Sequence, residues 1–328
     1  MHKVEFCLGF IVASPVVVSA MLFGATVAQA QKYPQKPIRL ISPFPPAGSN
    51  DIVARFIGVK LSERLGELIV VDNRAGASGI IGTDLVAQAA ADGHTLLMAS
   101  TTFVMVAAVR RLPYNVQQSF DPISLIGTSP NSIVINPGFG VGSLRELVER
   151  AKAKPASIFY ASTGIAGFNH FGGELFKKLA GIDLVHVPYK GGGPAMIDVI
   201  SGQVPMMFSS ITQVLSHLRA GRLKVLAIGA NKRSPALPDT PTVAEAGYPG
   251  YEVAVWWGIV APAGVPKAIV NRLNQEITAI LQDPATSKHL AAEAAETLPG
   301  TPAQFREYIS DELRKWTDVG KAARITMQ

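Results

Sequence analysis

Ser162, Thr163, Gly164, Asn169 and His170 stand close together in the stretch YASTGIAGFNH, and their types could hold an anion. Ile158 to Tyr160 reads as the end of a short buried strand, Ala161 to Gly167 as a loop of small residues, and Asn169 to Leu179 as an amphipathic helix. The loop therefore feeds a helix N-terminus. There the first backbone N–H groups lack intrahelical partners and the dipole presents partial positive charge, so those amides can grip an anion together with the hydroxyls and Asn169. The same residues also fit a plain strand-to-helix turn with a Ser/Thr cap. His170 would sit in the first turn of that helix. A second loop of similar build, PFPPAGSND, follows the strand Ile38 to Ile41 and precedes another helix, which adds Phe44, Ala47, Gly48 and Asp51 as candidates.

Other chemistries find less support. No G-x-S-x-G elbow occurs, and Gly76-Ala77-Ser78-Gly79 only approximates one. A secreted hydrolase or isomerase using Ser162 or Ser209 with His170 is the competing reading. His94, His170, His186, His217 and His289 are scattered without metal-ligand spacing. Gly138 to Gly142 has Ser143 where a dinucleotide loop needs its third glycine, and the glycines at 191–193 lack the Lys-Ser/Thr ending of a phosphate loop. No metal, cofactor or catalytic residue is expected.

The elements that must position these groups are legible from composition outward. With 48% hydrophobic and 16% charged residues over 328 positions, the chain suits two domains of ordinary size. Lys3, the apolar run Phe6 to Phe23 and Ala28-Gln29-Ala30 read as a signal peptide, with cleavage expected after Ala30; a signal anchor is the alternative, but no basic stop-transfer flank follows. The only cysteine, Cys7, leaves with it, so the mature chain has no disulfide and no thiolate site. Export without disulfides suggests a bacterial periplasm. The net charge of +6 is spread singly, which fits a solvated surface rather than a nucleic-acid stripe. No second apolar stretch is long enough to span a membrane.

From Ile38 onward short β-rich runs alternate with helical patterns, the mark of an α/β chain with mostly parallel sheets. A helix from Asp51 to Leu65 should bury Ile52, Phe56, Val59 and Leu61. Strands at Leu68 to Val71 and Thr95 to Ala99 follow, the latter ending in a polar loop with Ser100, Thr101 and Thr102. Ligands collect at such strand ends. Two β runs, Ile123 to Ile126 and Ile133 to Ile135, suggest a crossover between domains, and Ser143 to Glu146 a capping box. Further strands at Leu184 to Val187 and Pro205 to Phe208 end in loops carrying Tyr189 and Ser209. A strand at Lys224 to Ile228 and the β run Tyr251 to Val260 come next, and then only helices. The expected division is a signal peptide at 1–30, a discontinuous first lobe at 31–127 and 253–328, and a second lobe at 128–252. Two lobes, two crossings and loops facing a cleft describe a hinged binding protein. Trp256 and Trp257 are expected one in the core and one at the hinge or rim.

Seven stretches in order, PFPPAGSND, VVDNRAGASG, ADGHTLL, YASTGIAGFNH, VPYKGGGPA, KRSPALPDTPTVAEAGYPGYE and WWGIVAPAGVP, resemble the Bug family, the TctC-like periplasmic receptors of tripartite tricarboxylate transporters. They cover nearly all of the mature chain. The resemblance implies a two-lobed periplasmic-binding-protein fold closing on one small organic acid. It also implies a ligand carboxylate held by hydroxyls and amides from Ser162 to His170, with waters linking it to carbonyls from Phe44 to Asp51. The expected partners are the acid and membrane transporter subunits or a sensor protein, with no nucleic acid and a monomeric receptor. The chain departs from the family pattern at Ala47, where glycine is usual, at Pro205, where Asp often begins the strand, and at Ser209, where Asp is common. The last two changes remove negative charge, which argues against an amine on the ligand.

Overall fold

The computed structural model describes residues 1–3, 5, 33–322 and 325. The apolar run from Phe6 to Phe23 and the cleavage site after Ala30 lie outside the described residues. The chain divides into Met1–Tyr33 and Pro34–Gln328, and every element below belongs to the second unit.

That unit begins as a repeating β-α chain: β1 (Ile38–Ser42), α1 (Ser49–Leu65), β2 (Ile69–Asn73), α2 (Ile80–Ala87), β3 (Thr95–Ser100) and α3 (Thr101–Val109). Then comes β4 (Phe120–Ile135), one strand of 16 residues. The chain continues through α4 (Leu144–Ala153), β5 (Phe159–Ser162), α5 (Phe168–Ala180), β6 (Val185–Pro188), α6 (Gly192–Ser201), β7 (Met206–Ser210), α7 (Ile211–Arg219) and β8 (Lys224–Gly229). It closes with β9 (Ala254–Pro262), α8 (Lys267–Gln282), α9 (Pro284–Ala292), β10 (Glu296–Thr297) and α10 (Pro302–Ala322).

The strands follow the order β2-β1-β3-β9-β4-β7-β5-β6. From Phe120 to Pro130, β4 pairs with β9; from Asn131 to Ile135 it pairs with β7 and β8. One strand thus belongs to two sheets, and the partners change between Pro130 and Asn131. The separate runs expected at 123–126 and 133–135 are its two ends. β1, β2 and β3 are parallel, as are β5, β6 and β7. β4 pairs antiparallel throughout, and so does β9 with β3, so the sheets are mixed where the sequence suggested mostly parallel ones. The reason is connective. Parallel neighbours need a crossover helix between them, which α1, α2, α5 and α6 supply, whereas β4 and β9 pair with each other directly as the two crossing strands.

Five further expectations are corrected. α1 buries Val53, Ala54, Ile57, Gly58 and Leu61, while Ile52 and Val59 are exposed. A Cβ on Gly58 would lie 3.5 Å from methyls of Ile69 and Val71, so the small-residue face lets the helix approach β2 closely, and Phe56 instead stacks on His289 with centroids 4.5 Å apart. Thr101 and Thr102 are not loop but the first turn of α3, whose residues 101–106 are all buried. Ser209 and Ser210 complete β7 rather than leaving it. β10 adds a short strand against Gly127 and Thr128 after the helices α8 and α9. Trp256 and Trp257 are both buried, and Glu312 on α10 accepts from the indoles of Trp256 (3.1 Å) and Trp316 (2.9 Å).

Candidate functional site

Five helices begin at one cleft. Their N-cap residues are Gly48 (α1), Ser100 (α3), Gly167 (α5), Gly191 (α6) and Ser210 (α7), and none makes a side-chain cap hydrogen bond. Away from this cleft, α4 and α9 are capped by Ser143 and Asp283, while α2 and α8 start at Gly79 and Pro266 without a side-chain cap. Two first-turn amides are taken from elsewhere, Phe168 N–H by Thr102 Oγ1 (3.3 Å) and Thr212 N–H by Ser129 Oγ (3.4 Å), and the other first-turn amides of the cleft helices are left for another acceptor. The cleft is narrow, with about 40 Å³ of free space, and is lined on one side by Phe44, Gly48, Ser49, Asn50, Ser100, Thr102 and Val255. Thr163, Phe168, Asn169, Gly192, Ser210 and Gln213 line the other. No lining side chain carries a charge. Helix dipoles and neutral donors set its potential, which favours an anion.

The candidates from the sequence divide into those at the wall and those behind it. Phe44, Gly48, Ser100, Thr163 and Asn169 line the cleft. Gly164 and Tyr189 line an outer space that shares Phe44 and Thr163 with it. The Tyr189 hydroxyl donates to Asp198 at 2.6 Å, and burial with that bond pushes its pKa up to about 12.

Ala47, Asp51, Thr101, Ser162, His170 and Ser209 line neither space, because their polar groups are spent on the scaffold. The Ala47 N–H donates to Asp51 at 3.0 Å, and Ala47 adopts φ 65°, the left-handed backbone for which glycine is the easy choice. Burial opposes ionisation of Asp51, but donors from Arg55, Asn73 and Ala47 outweigh it and hold its carboxyl below the usual range. Asn73 bonds both Asp51 (2.9 Å) and the Phe44 carbonyl (3.0 Å), which fixes the first loop. Thr101 Oγ1 accepts from the Trp256 N–H at 2.7 Å. Ser209 Oγ donates to Gln213 Oε1 at 3.2 Å.

The loop entering α5 is fastened from behind. Ser162 is buried, with its Oγ 2.5 Å from His186 Nε2, and it donates to the Gly164 carbonyl at 3.2 Å. His170 Nδ1 accepts from the Ala166 N–H at 3.1 Å. Thr163 Oγ1 donates to Asn169 Oδ1 at 2.8 Å, and the Asn169 amide donates to the Phe208 carbonyl. Across the cleft, Ser78 Oγ donates to the Ile165 carbonyl at 2.7 Å and the Phe168 N–H to Thr102 Oγ1 at 3.3 Å. Pro45 packs on Gly191, where a Cβ would overlap the proline ring.

Sequence reasoning missed Ser49, Asn50, Phe168, Gly192, Ser210, Gln213 and Val255, and named Thr102 only as part of a loop. The only available signal was adjacency: Ser49 and Asn50 follow Gly48, and Ser210 follows Ser209. Gln213 is three residues into a helix, and no spacing rule marks it. Among the described residues no three His, Cys, Asp or Glu side chains gather as metal ligands, and no helix is long and apolar enough to cross a membrane.

Residues 53–324 match the tripartite tricarboxylate transporter family receptors. BugT of Bordetella pertussis is 39% identical over 298 residues, covering 90% of this chain and 91% of that one. A Rhodopseudomonas palustris protein solved with adipate superposes with a TM-score of 0.88 at 33% identity, over 90% of this chain and 99% of the other. MatC from Rhodopseudomonas palustris, solved with bound malate, gives 0.83 at 30% identity over 88% and 99%. The chain has the two-lobed fold of periplasmic binding proteins.

Proposed function

The chain belongs to the tripartite tricarboxylate transporter receptor family, and from that premise we propose that it captures a small organic carboxylate in the cleft between its sheets and delivers it for uptake or sensing. One observation carries this reading: five helix N-termini without side-chain caps meet at a wall that has no charged side chain. Such a wall stabilises a carboxylate through amide donors and dipoles. Similar proteins solved with adipate and malate support the ligand class. The carboxylate meets Gly48, Ser100, Thr163 and the first turns of α5 and α6, with Phe44 against its carbon skeleton.

We further propose lobes at 31–127 with 253–328 and at 128–252, closing about β4 and the segment before β9. The change of strand partners between Pro130 and Asn131, together with the hydrogen bonds from Asn131 N to Val253 O (2.8 Å) and from Val253 N to Gly229 O (3.1 Å), supports these boundaries. Cleavage after Ala30 and release into the periplasm complete the proposal, with membrane transporter subunits or a sensor as partners of a monomeric receptor.

A hydrolase reading is not favoured, because the contact between Ser162 and His186 lies off the cleft wall. Ser162 is fully buried away from the cleft wall, and His170 is engaged with Ala166 rather than with a serine. The test is mass spectrometry of ligand released from gently purified and then denatured protein, followed by calorimetry with the acid found. Binding governed by fixed dipoles rather than exposed charges should change by no more than about threefold between low and high salt. Release of no carboxylate, together with no binding across a panel of acids, would exclude the reading.

A further inference from the structure

Gln213 and Ser210 present buried polar atoms that the protein itself leaves unpaired. Ser210, the N-cap of α7, is 2% exposed, and Gln213, in the first turn, is 7% exposed. Ser210 Oγ and Gln213 Nε2 have no hydrogen-bond partner, and both residues line the cleft. The N-cap hydroxyl does not take the usual bond to its own first turn. The carboxamide is oriented: its Oε1 accepts from Ser209 Oγ at 3.2 Å, which turns Nε2 toward Gly192 at the cleft wall. A Cβ on Gly192 would overlap Nε2 and lie 2.9 Å from Oε1, so the glycine keeps that place open.

A buried donor left unmade costs free energy that a ligand acceptor recovers, and a site built to bond an oxygen strongly rejects an analogue lacking it. We infer that Gln213 and Ser210 are the specificity-determining donors of the second lobe, selecting an acid that carries an oxygen acceptor, and no ammonium group, where it meets α7. Ser209 acts as a positioning residue, through its bond to the carboxamide. An ammonium group offers only donors: the neutral Ser210 hydroxyl could accept one, but the Gln213 N–H would face it and no acidic side chain on the wall would offset its charge. The inference rests on the carboxylate-receptor reading and names the substrate class more narrowly.

The test uses acids paired on one carbon skeleton: lactate with alanine, malate with aspartate, 2-hydroxyglutarate with glutamate, and mandelate with phenylglycine. Each is titrated calorimetrically into protein stripped of endogenous ligand, and the pair containing the tightest binder is carried forward. The hydroxy acid should bind at least about tenfold tighter than its amino partner, the equivalent of one charge-assisted hydrogen bond. Gln213→Met keeps the shape and removes the donor, so it should lose about tenfold toward the hydroxy acid. Gly192→Ala displaces the amide without removing it and should act in the same direction, which covers a failure of the first variant to fold. Preference for the amino acid, or unchanged hydroxy-acid affinity in a folded variant, overturns the inference while leaving the receptor reading intact. If wild-type protein binds no acid and releases none on denaturation, the receptor reading falls and takes this one with it.

Discussion

The imidazoles of His170 and His186 lie face to face, with centroids 4.0 Å apart and planes 13° from parallel, directly behind the loop that enters α5. Tyr160 stacks on the far side of His186, and Glu174, held by Lys177 at 3.0 Å, lies 3.9 Å from His170 Nε2. Burial, aided by the Lys177 charge, lowers the His170 pKa to about 4. Burial, with the neighbouring His170 charge next, lowers that of His186 to about 3.

Both rings are thus neutral in the folded protein while the unfolded chain takes up protons below about pH 6.5. The stability they protect is fully present above that value and is lost as pH falls toward about 4. At about 1.4 kcal/mol per unit, His170 alone accounts for roughly 3 kcal/mol. Urea midpoints should fall steadily from pH 7 to pH 4, and His170→Gln, which can still accept from Ala166, should flatten the slope. A wild-type profile without slope in that window would contradict the assignment.

The hydrogen bond from Ser78 to the Ile165 carbonyl spans the mouth of the cleft, and Ser78 holds a left-handed φ of 55° to make it. Removing the hydroxyl in Ser78→Ala should raise the ligand dissociation rate by about two- to tenfold, the worth of one net hydrogen bond, with little effect on association. Stopped-flow kinetics with the released ligand measures both rates. An unchanged dissociation rate would show that the contact does not hold the closed form.

Ser162 and Thr163 should separate into two roles. Ser162→Ala removes a buried bond to His186 and should destabilise the fold by about 1–2 kcal/mol, with a smaller effect on affinity than Thr163→Val, which alters the wall itself and frees Asn169 Oδ1. Thermal unfolding and calorimetry on the two single variants distinguish them. Equal affinity losses with equal stability would restore both as a joint clamp.

Glu312 satisfies two buried indoles with one carboxylate oxygen. Glu312→Ala strands both donors and should cost about 2–5 kcal/mol, whereas Glu312→Gln keeps an acceptor oxygen and should cost much less. Chemical denaturation compares the two. Similar losses in both would mean that charge, not acceptance, is what the tryptophans need.

The fold was legible wherever local chemistry was strong. Gly66 ends α1 in the left-handed conformation, and Ser143 caps α4 by accepting from the Glu146 N–H at 3.2 Å. α3 escaped because Thr101 to Val106 is buried on every side and carries no helical period to read. The outward face of α1 misled for the opposite reason: Ile52 and Val59 look like core residues, yet Ala54 and Gly58 allow the closer contact. At the site, residue types pointed to the α5 turn but not to which hydroxyls face the cleft. Ser162 and Ser209 differ from Thr163 and Ser210 only in what lies behind them, and those partners, His186 and Gln213, come from other elements. The departure at Ala47 was visible in sequence, while its physical content, a positive φ, needed the backbone.

Convergence of five helix starts on one cleft also bears on how the protein can change over generations. A backbone amide is present whatever side chain it carries, proline excepted, so the grip on a carboxylate survives most substitutions at the wall. In the proposed site, discrimination rests instead on replaceable lining side chains such as Phe44, Ser210 and Gln213. A lineage can therefore exchange one acid for another in single steps, each intermediate still holding some acid, without ever passing through a receptor that binds nothing.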